Sequence, residues 1–178
     1  MMKYYVFLRG VTPTGKNRIP KMVILKSIME DAGFKKVMTY IQSGNIIFDS
    51  DLPKPEVAKE VHMRILENIG ADLKVIVKSR KELAVALNEN PFDDTYDYSR
   101  VHLVFFNERL SELNFDLLNN VSLLGEKLEI GSECIYMYLP KDAAKKRLNN
   151  NFLERKLKID ATTRKFNVIT KLIRLERE

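Results

Sequence analysis

The chain has 178 residues, 45% of them apolar, with 30 Lys and Arg against 24 Asp and Glu, 7 Gly, 6 Pro, one Cys and no Trp. This excludes a collagen, a disulfide scaffold and a disordered chain, and it is enough to bury about 70% of the unfolded surface in one large domain or two small ones. The formal charge of +6 lies at one end: residues 141–178 hold 12 Lys and Arg against 5 Asp and Glu, which leaves residues 1–140 at −1.

Met1-Met2-Lys3-Tyr4 leads straight into the apolar run Tyr4 to Leu8, which reads as a central strand covered on both faces. These opening residues do not have the charged, apolar and small-residue pattern of a signal peptide, and no apolar run reaches bilayer length, so the expected location is the cytoplasm, where one unpaired cysteine is ordinary. A loop follows from Arg9 to Ile19. Pro20 suits a first helical position, and Met22, Leu25, Ile28, Met29 and Ala32 recur at three and four residues until Gly33. Val37 to Ile41 and Ile46 to Asp49 read as strands around Gln42-Ser43-Gly44-Asn45, where Gly and Asn supply the positive φ of a hairpin. Val57, Val61, Ile65 and Ile69 mark a second helix ending at Gly70, and Leu73, Val75 and Val77 a fourth strand. The order βαββαβ over residues 1–79 is that of a ferredoxin-like unit, with the first and third strands central in an antiparallel sheet.

Residues 80–178 repeat the scheme with a changed ending. Arg80 to Glu89 is predicted as a connecting helix and Asn90 to Asp97 as a loop; Val101 to Phe106 is a central strand, Leu110, Leu113 and Leu117 mark a helix, and Lys127 to Ile130 pairs with Cys134 to Leu139 around Gly131-Ser132. Beyond that the chain reads as helical. Ala144, Leu148 and Phe152 share a face that Asn149-Asn150-Asn151 can break, and Phe166, Ile169 and Ile173 mark a last helix begun near Thr162 or Thr163. The predicted class is α+β: two ferredoxin-like, βαββ-containing halves with antiparallel sheets and a helical C-terminus, packed as one globule.

Gly10 to Asn17 has Walker A spacing, but Asn17 stands where a magnesium-binding hydroxyl belongs. Asp49, the matching acid, falls on the opposite edge of an antiparallel pair from Lys16, which argues against a nucleotidase. The same topology makes strands one and two parallel. Arg9, Gly10, Lys16, Asn17 and Arg18 then share an edge with Gln42, Ser43 and Asn45, a set of cations, amides and a hydroxyl suited to a phosphate or carboxylate. The plainer reading is that these amides pin their own loops, which would favour a structural or protein-interaction module. On the last predicted helix Arg164, Asn167, Lys171 and Arg174 form a polar stripe that can complete the anion site, meet nucleic acid, or simply face solvent.

Tyr5 and Phe7 invite comparison with an RNA-binding sheet, but strand three lacks the basic and aromatic signature, so these rings are expected in the core. His62, His102 and Cys134 are isolated and read as packed residues. Asp93, Asp94 and Asp97 read as a solvated loop, and no metal-ligand spacing or cofactor fingerprint is found.

Several motifs together resemble the bacterial proteins grouped as domain of unknown function 1697: Tyr5-Val6-Phe7-Leu8-Arg9-Gly10 with Gly15-Lys16-Asn17, Tyr40-Ile41-Gln42-Ser43-Gly44-Asn45 leading to Phe48, Asn90-Pro91-Phe92, and Thr163-Arg164 through Lys171-Leu172. The resemblance implies ferredoxin-like repeats and no particular activity. Thr14 stands where the family pattern has a second glycine, and Lys165-Phe166 where it has Asn-Trp.

Overall fold

The computed structural model describes residues 1–175, which divide into two compact units, Met1–Arg80 and a second that begins at Lys81. The first contains β1 (Met2–Arg9), α1 (Met22–Asp31), β2 (Lys35–Tyr40), β3 (Asn45–Ser50), α2 (Lys54–Ile69) and β4 (Lys74–Ser79). Its antiparallel sheet has the order β2-β3-β1-β4, with Tyr4 opposite both Phe48 and Ser79. β1 is central because both its faces are apolar. Tyr4, Val6 and Leu8 meet Leu25 and Met29 of α1 and Val57, Val61 and Ile65 of α2, while Tyr5 and Phe7 on the opposite face are also buried. Those two rings therefore offer no stacking platform to RNA.

Local chemistry sets the element ends. Gly70 closes α2 in the left-handed conformation, its N–H donating to Leu66 O at 2.9 Å. α1 begins at Met22 rather than Pro20; Lys21 is extended at its N-cap. The turn after β2 differs from expectation too. Positive φ falls at Gly44 and at Ile41, not at Asn45, which already belongs to β3.

The second unit holds α3 (Arg80–Asn88, starting at the boundary), β5 (Val101–Phe106), β6 (Lys127–Ile130), β7 (Ile135–Tyr138), α4 (Asn150–Leu157), β8 (Ala161–Lys165) and α5 (Phe166–Arg174). Its sheet order, β6-β7-β5-β8, reproduces that of the first unit. The ending is thus a completed ferredoxin-like motif followed by one extra helix. Three expectations are corrected here. The helix through Leu110 and Leu117 is replaced by two 3₁₀ turns, because Glu112 accepts from Arg109 N and Asn114 from Asp116 N, local bonds that compete with a continuous helix. Residues 141–149 are not helical; the Asn tract starts α4 instead of breaking a helix, with Asn149 Oδ1 accepting from Phe152 N at 2.8 Å. Thr162 and Thr163 belong to β8, where β-branched side chains suit the pleat, so α5 begins only at Phe166. Among the described residues no helix is long and apolar enough to cross a membrane.

Candidate functional site

The C-terminal end of β1 and the turn between β2 and β3 do meet. Phe7 is paired with Asn45, and Leu8 N donates to Gly44 O at 2.9 Å. Arg9, Gly10, Lys16, Asn17, Gln42, Ser43 and Asn45 thus share one edge of the first unit. Lys3, at the other end of β1, is opposite Asp49 and forms an ion pair with it at 3.1 Å. Six residues separate Lys3 from Arg9, about 20 Å of strand, so the acid that imitates a metal-binding carboxylate is remote from the glycine loop.

The loop after β1 is folded on itself: Thr12 N donates to Asn17 O at 3.1 Å, Arg18 N to Gly15 O at 3.3 Å, and Thr12 Oγ1 to Thr14 O at 2.7 Å. Lys16 is exposed and Arg9 half-buried. The carboxamides turn toward the protein. Asn17 Oδ1 accepts from Asp72 N at 3.0 Å while its Nδ2 donates to Asp72 O at 3.3 Å, which ties the loop to the start of β4. Gln42 Nε2 donates to Ile19 O at 3.0 Å, tying the turn to the segment before α1. Asn45, fully buried, donates to Tyr40 O at 2.9 Å and to Ser43 Oγ at 3.0 Å. Asn17, Gln42, Ser43 and Asn45, all expected at the ligand site, are therefore engaged in bracing three loops.

These braces hold Ile41 at φ 52°, a left-handed conformation that is costly for a β-branched residue, and leave its side chain 46% exposed. Sequence reasoning missed Ile41, since a β-branched residue after a strand reads as more strand. Gln42 ties this turn to Ile19, ahead of α1, whose first turn exposes Val23 by 66% and Ile24 by 37%.

Arg164 and Asn167 lie in the second unit. Arg164 is a β8 residue opposite Leu103, buried, with Nη1 donating to Thr162 Oγ1 at 2.7 Å and Thr163 O at 3.0 Å. It is therefore not part of a helical stripe, of which Asn167, Lys171 and Arg174 remain on α5. The other singled-out residues have structural partners. His62 Nδ1 sits 2.8 Å from Leu73 O. Burial lowers the pKa of His102 below the ordinary histidine value, a pull that the hydrogen bond with Arg100 O opposes. Hydrogen bonds from Thr95 and Ser99 hold Asp93 and Asp97 below the usual carboxylate range, each acid capping its own turn. Asn90 accepts from Phe92 N and donates to Phe92 O, fixing the Asn-Pro-Phe turn. Cys134 is buried. No group of three or more His, Cys, Asp or Glu among the described residues is placed to hold a metal ion.

Residues 1–136 match the family described as protein of unknown function DUF1697. The chain belongs to this family. Within DUF1697, the Gln42-to-Asn45 and Asn90-to-Phe92 motifs have a visible structural purpose here, since each fixes a turn. No curated protein matches the sequence. Among solved structures, the conserved bacterial protein SP0830 from Streptococcus pneumoniae is similar, with a TM-score of 0.76 at 20% identity, over 100% of this chain and 99% of that one. This likeness extends the shared fold beyond residue 136 to the remainder of the chain.

Proposed function

We propose that this DUF1697 member is a cytoplasmic protein-interaction module whose contact surface is the braced rim of the first unit. The observation that carries the reading is Ile41: a β-branched side chain held at an unfavourable φ of 52° yet displayed to solvent, by a turn whose carboxamides are all directed inward. Backbone strain of this kind persists where surrounding bonds over-determine it, and it concentrates at binding sites. Ile41, Val23 and Ile24 supply apolar anchors, and exposed Lys16, Arg18 and Lys21 supply positive charge, so the matching partner is an acidic protein segment bearing an aliphatic or aromatic anchor. Selection of random peptides against the full chain tests this. The enriched sequences should combine acids with one large apolar residue and should lose affinity for the Ile41→Asp protein. Binders indifferent to Ile41→Asp would reject the assignment. Ile41→Asn, which better tolerates the left-handed backbone, should raise stability by about 1 kcal/mol while weakening the same peptides.

A second reading is a small anionic or phosphorylated ligand at the same edge, supported by Lys16 at the exposed tip of a loop closed between Thr12 and Asn17. Its cast is narrower than the sequence suggests: Lys16 and Arg9 would neutralise the charge, with the carboxamides acting only as braces. Any thermal shift produced by a panel of phosphorylated compounds should vanish in the Arg9→Ala/Lys16→Ala protein, and unchanged affinity would dismiss those roles.

A further inference from the structure

Much of the excess positive charge of the chain lies in one stretch that precedes β8 and α5. Residues 145–158 carry six cations, Lys145, Lys146, Arg147, Arg155, Lys156 and Lys158, and a single acid, Glu154. All six are exposed, and none forms an ion pair with a described residue. Glu154 Oε1 accepts from Ala161 N at 2.9 Å, so its carboxylate also serves the α4–β8 connection. The first three cations sit on a segment with a fixed backbone. Buried Glu126 accepts from Arg147 N and from Leu148 N, each at 2.9 Å, and Ala144 N donates to Leu124 O at 3.1 Å. The other three sit at the far end of α4, whose 8 residues span about 12 Å.

We propose that this face of the second unit binds the phosphate backbone of duplex nucleic acid without reading its sequence. A duplex carries about one negative charge per 1.7 Å of axis, so two cation clusters separated by one short helix can engage several phosphates at once. The surface has positive charge and little else. Leu148, Leu153 and Leu157 are buried, and Phe152 is half-buried with the Lys156 ammonium 6.0 Å above its ring. Within residues 145–158 no large apolar side chain is therefore exposed to anchor in a bilayer or to fill a protein pocket, although Leu124, whose O accepts from Ala144 N, is 44% exposed beside them. Two carboxamides beside the cations are already engaged: that of Asn149 caps α4, and that of Asn150 donates to Ala161 O and accepts from Thr163 Oγ1, so neither is presented to a base edge. Lys158 adds a second kind of observation. It ends α4 at φ 55°, the left-handed position where glycine is the cheaper residue, and so keeps a cation where stability alone favours none.

Fluorescence anisotropy with the full chain and a labelled mixed-sequence DNA duplex decides the matter, and it is independent of the first-unit rim. Binding is expected at low salt, alike for unrelated sequences, with log K falling against log salt with a slope of about −5 when all six cations engage. Lys145→Ala/Lys146→Ala/Arg147→Ala should make that slope shallower by about 3 units, whereas Lys171→Ala/Arg174→Ala on α5 should leave it nearly unchanged. Lys158→Gly should melt at a higher temperature and bind more weakly, a pairing that misfolding cannot produce. The proposal is overturned by the absence of binding at low salt, by equal effects of the two multiple variants, or by capture on vesicles of anionic phospholipid without capture of the duplex.

Discussion

At Gly44 an added Cβ would lie 2.8 Å from Leu8 Cβ, while at Gly15 nothing lies within 4 Å; the two glycines have nearly the same φ, 78° and 80°. Alanine at Gly15 thus meets only the left-handed backbone cost, about 1 kcal/mol. At Gly44 it also forces the turn away from β1, and the combined loss should be about 3 kcal/mol. Urea denaturation of the two variants checks the difference, and equal losses would show that the turn is free to move off the sheet. His102 gives the residue scale its pH dependence. Its pKa is lowered in the folded protein, chiefly by burial, from a reference of 6.5. As pH falls the unfolded chain takes up this proton before the folded one does, so the contribution is complete above the unfolded value and is lost on acidification through the folded one. His102→Gln should remove part of the decline in denaturation midpoint between about pH 7.5 and 5, and parallel pH profiles for the two proteins would refute the assignment. Carboxamides mark the limit of reading at this scale. Asn17, Gln42 and Asn45 could be placed on one edge from chain direction alone, but an amide near a loop looks the same in sequence whether its partner is a ligand or a carbonyl.

Elements were legible where one periodicity had no competitor. The continuous run from Tyr4 to Leu8 and the three-and-four spacing of Val57, Val61 and Ile65 each admit one buried arrangement, and β1 and α2 follow it. The segment from 141 to 165 offered two solutions at each step. Ala144, Leu148 and Phe152 have helical spacing, yet Asn149 captures Phe152 N and makes itself the start of α4. Thr162 and Thr163 are good caps and also good strand residues, and pairing with β5 decides between them. Asn149→Ala tests whether the cap rather than the spacing sets this boundary. It should cost about 1 kcal/mol, with hydrogen exchange accelerated first at the opening turn of α4; exchange unchanged there would mean that packing of Leu153 and Leu157 alone places the helix.

Across the whole molecule one strand order is built twice from unlike parts. β2-β3-β1-β4 rests on two full helices, whereas β6-β7-β5-β8 has 3₁₀ turns in place of the first helix and only the 8-residue α4 in place of the second. What the two sheets share is a central strand apolar on both faces, β1 and β5, flanked by β3 and β7. The common topology therefore follows from the buried strands, which must find two neighbours each, more than from the helices that cover them. Edge strands have weaker claims: β2 is interrupted by an irregularity between Lys35 and Met38, and three of the four residues of β6 are exposed. Amide exchange should consequently reveal two slow-exchanging centres, one at β1 and β3 and one at β5 and β7, with β2 and β6 opening sooner. Protection confined to one unit, or β6 amides exchanging as slowly as those of β5, would show that the helical layers and not the central strands hold each unit together.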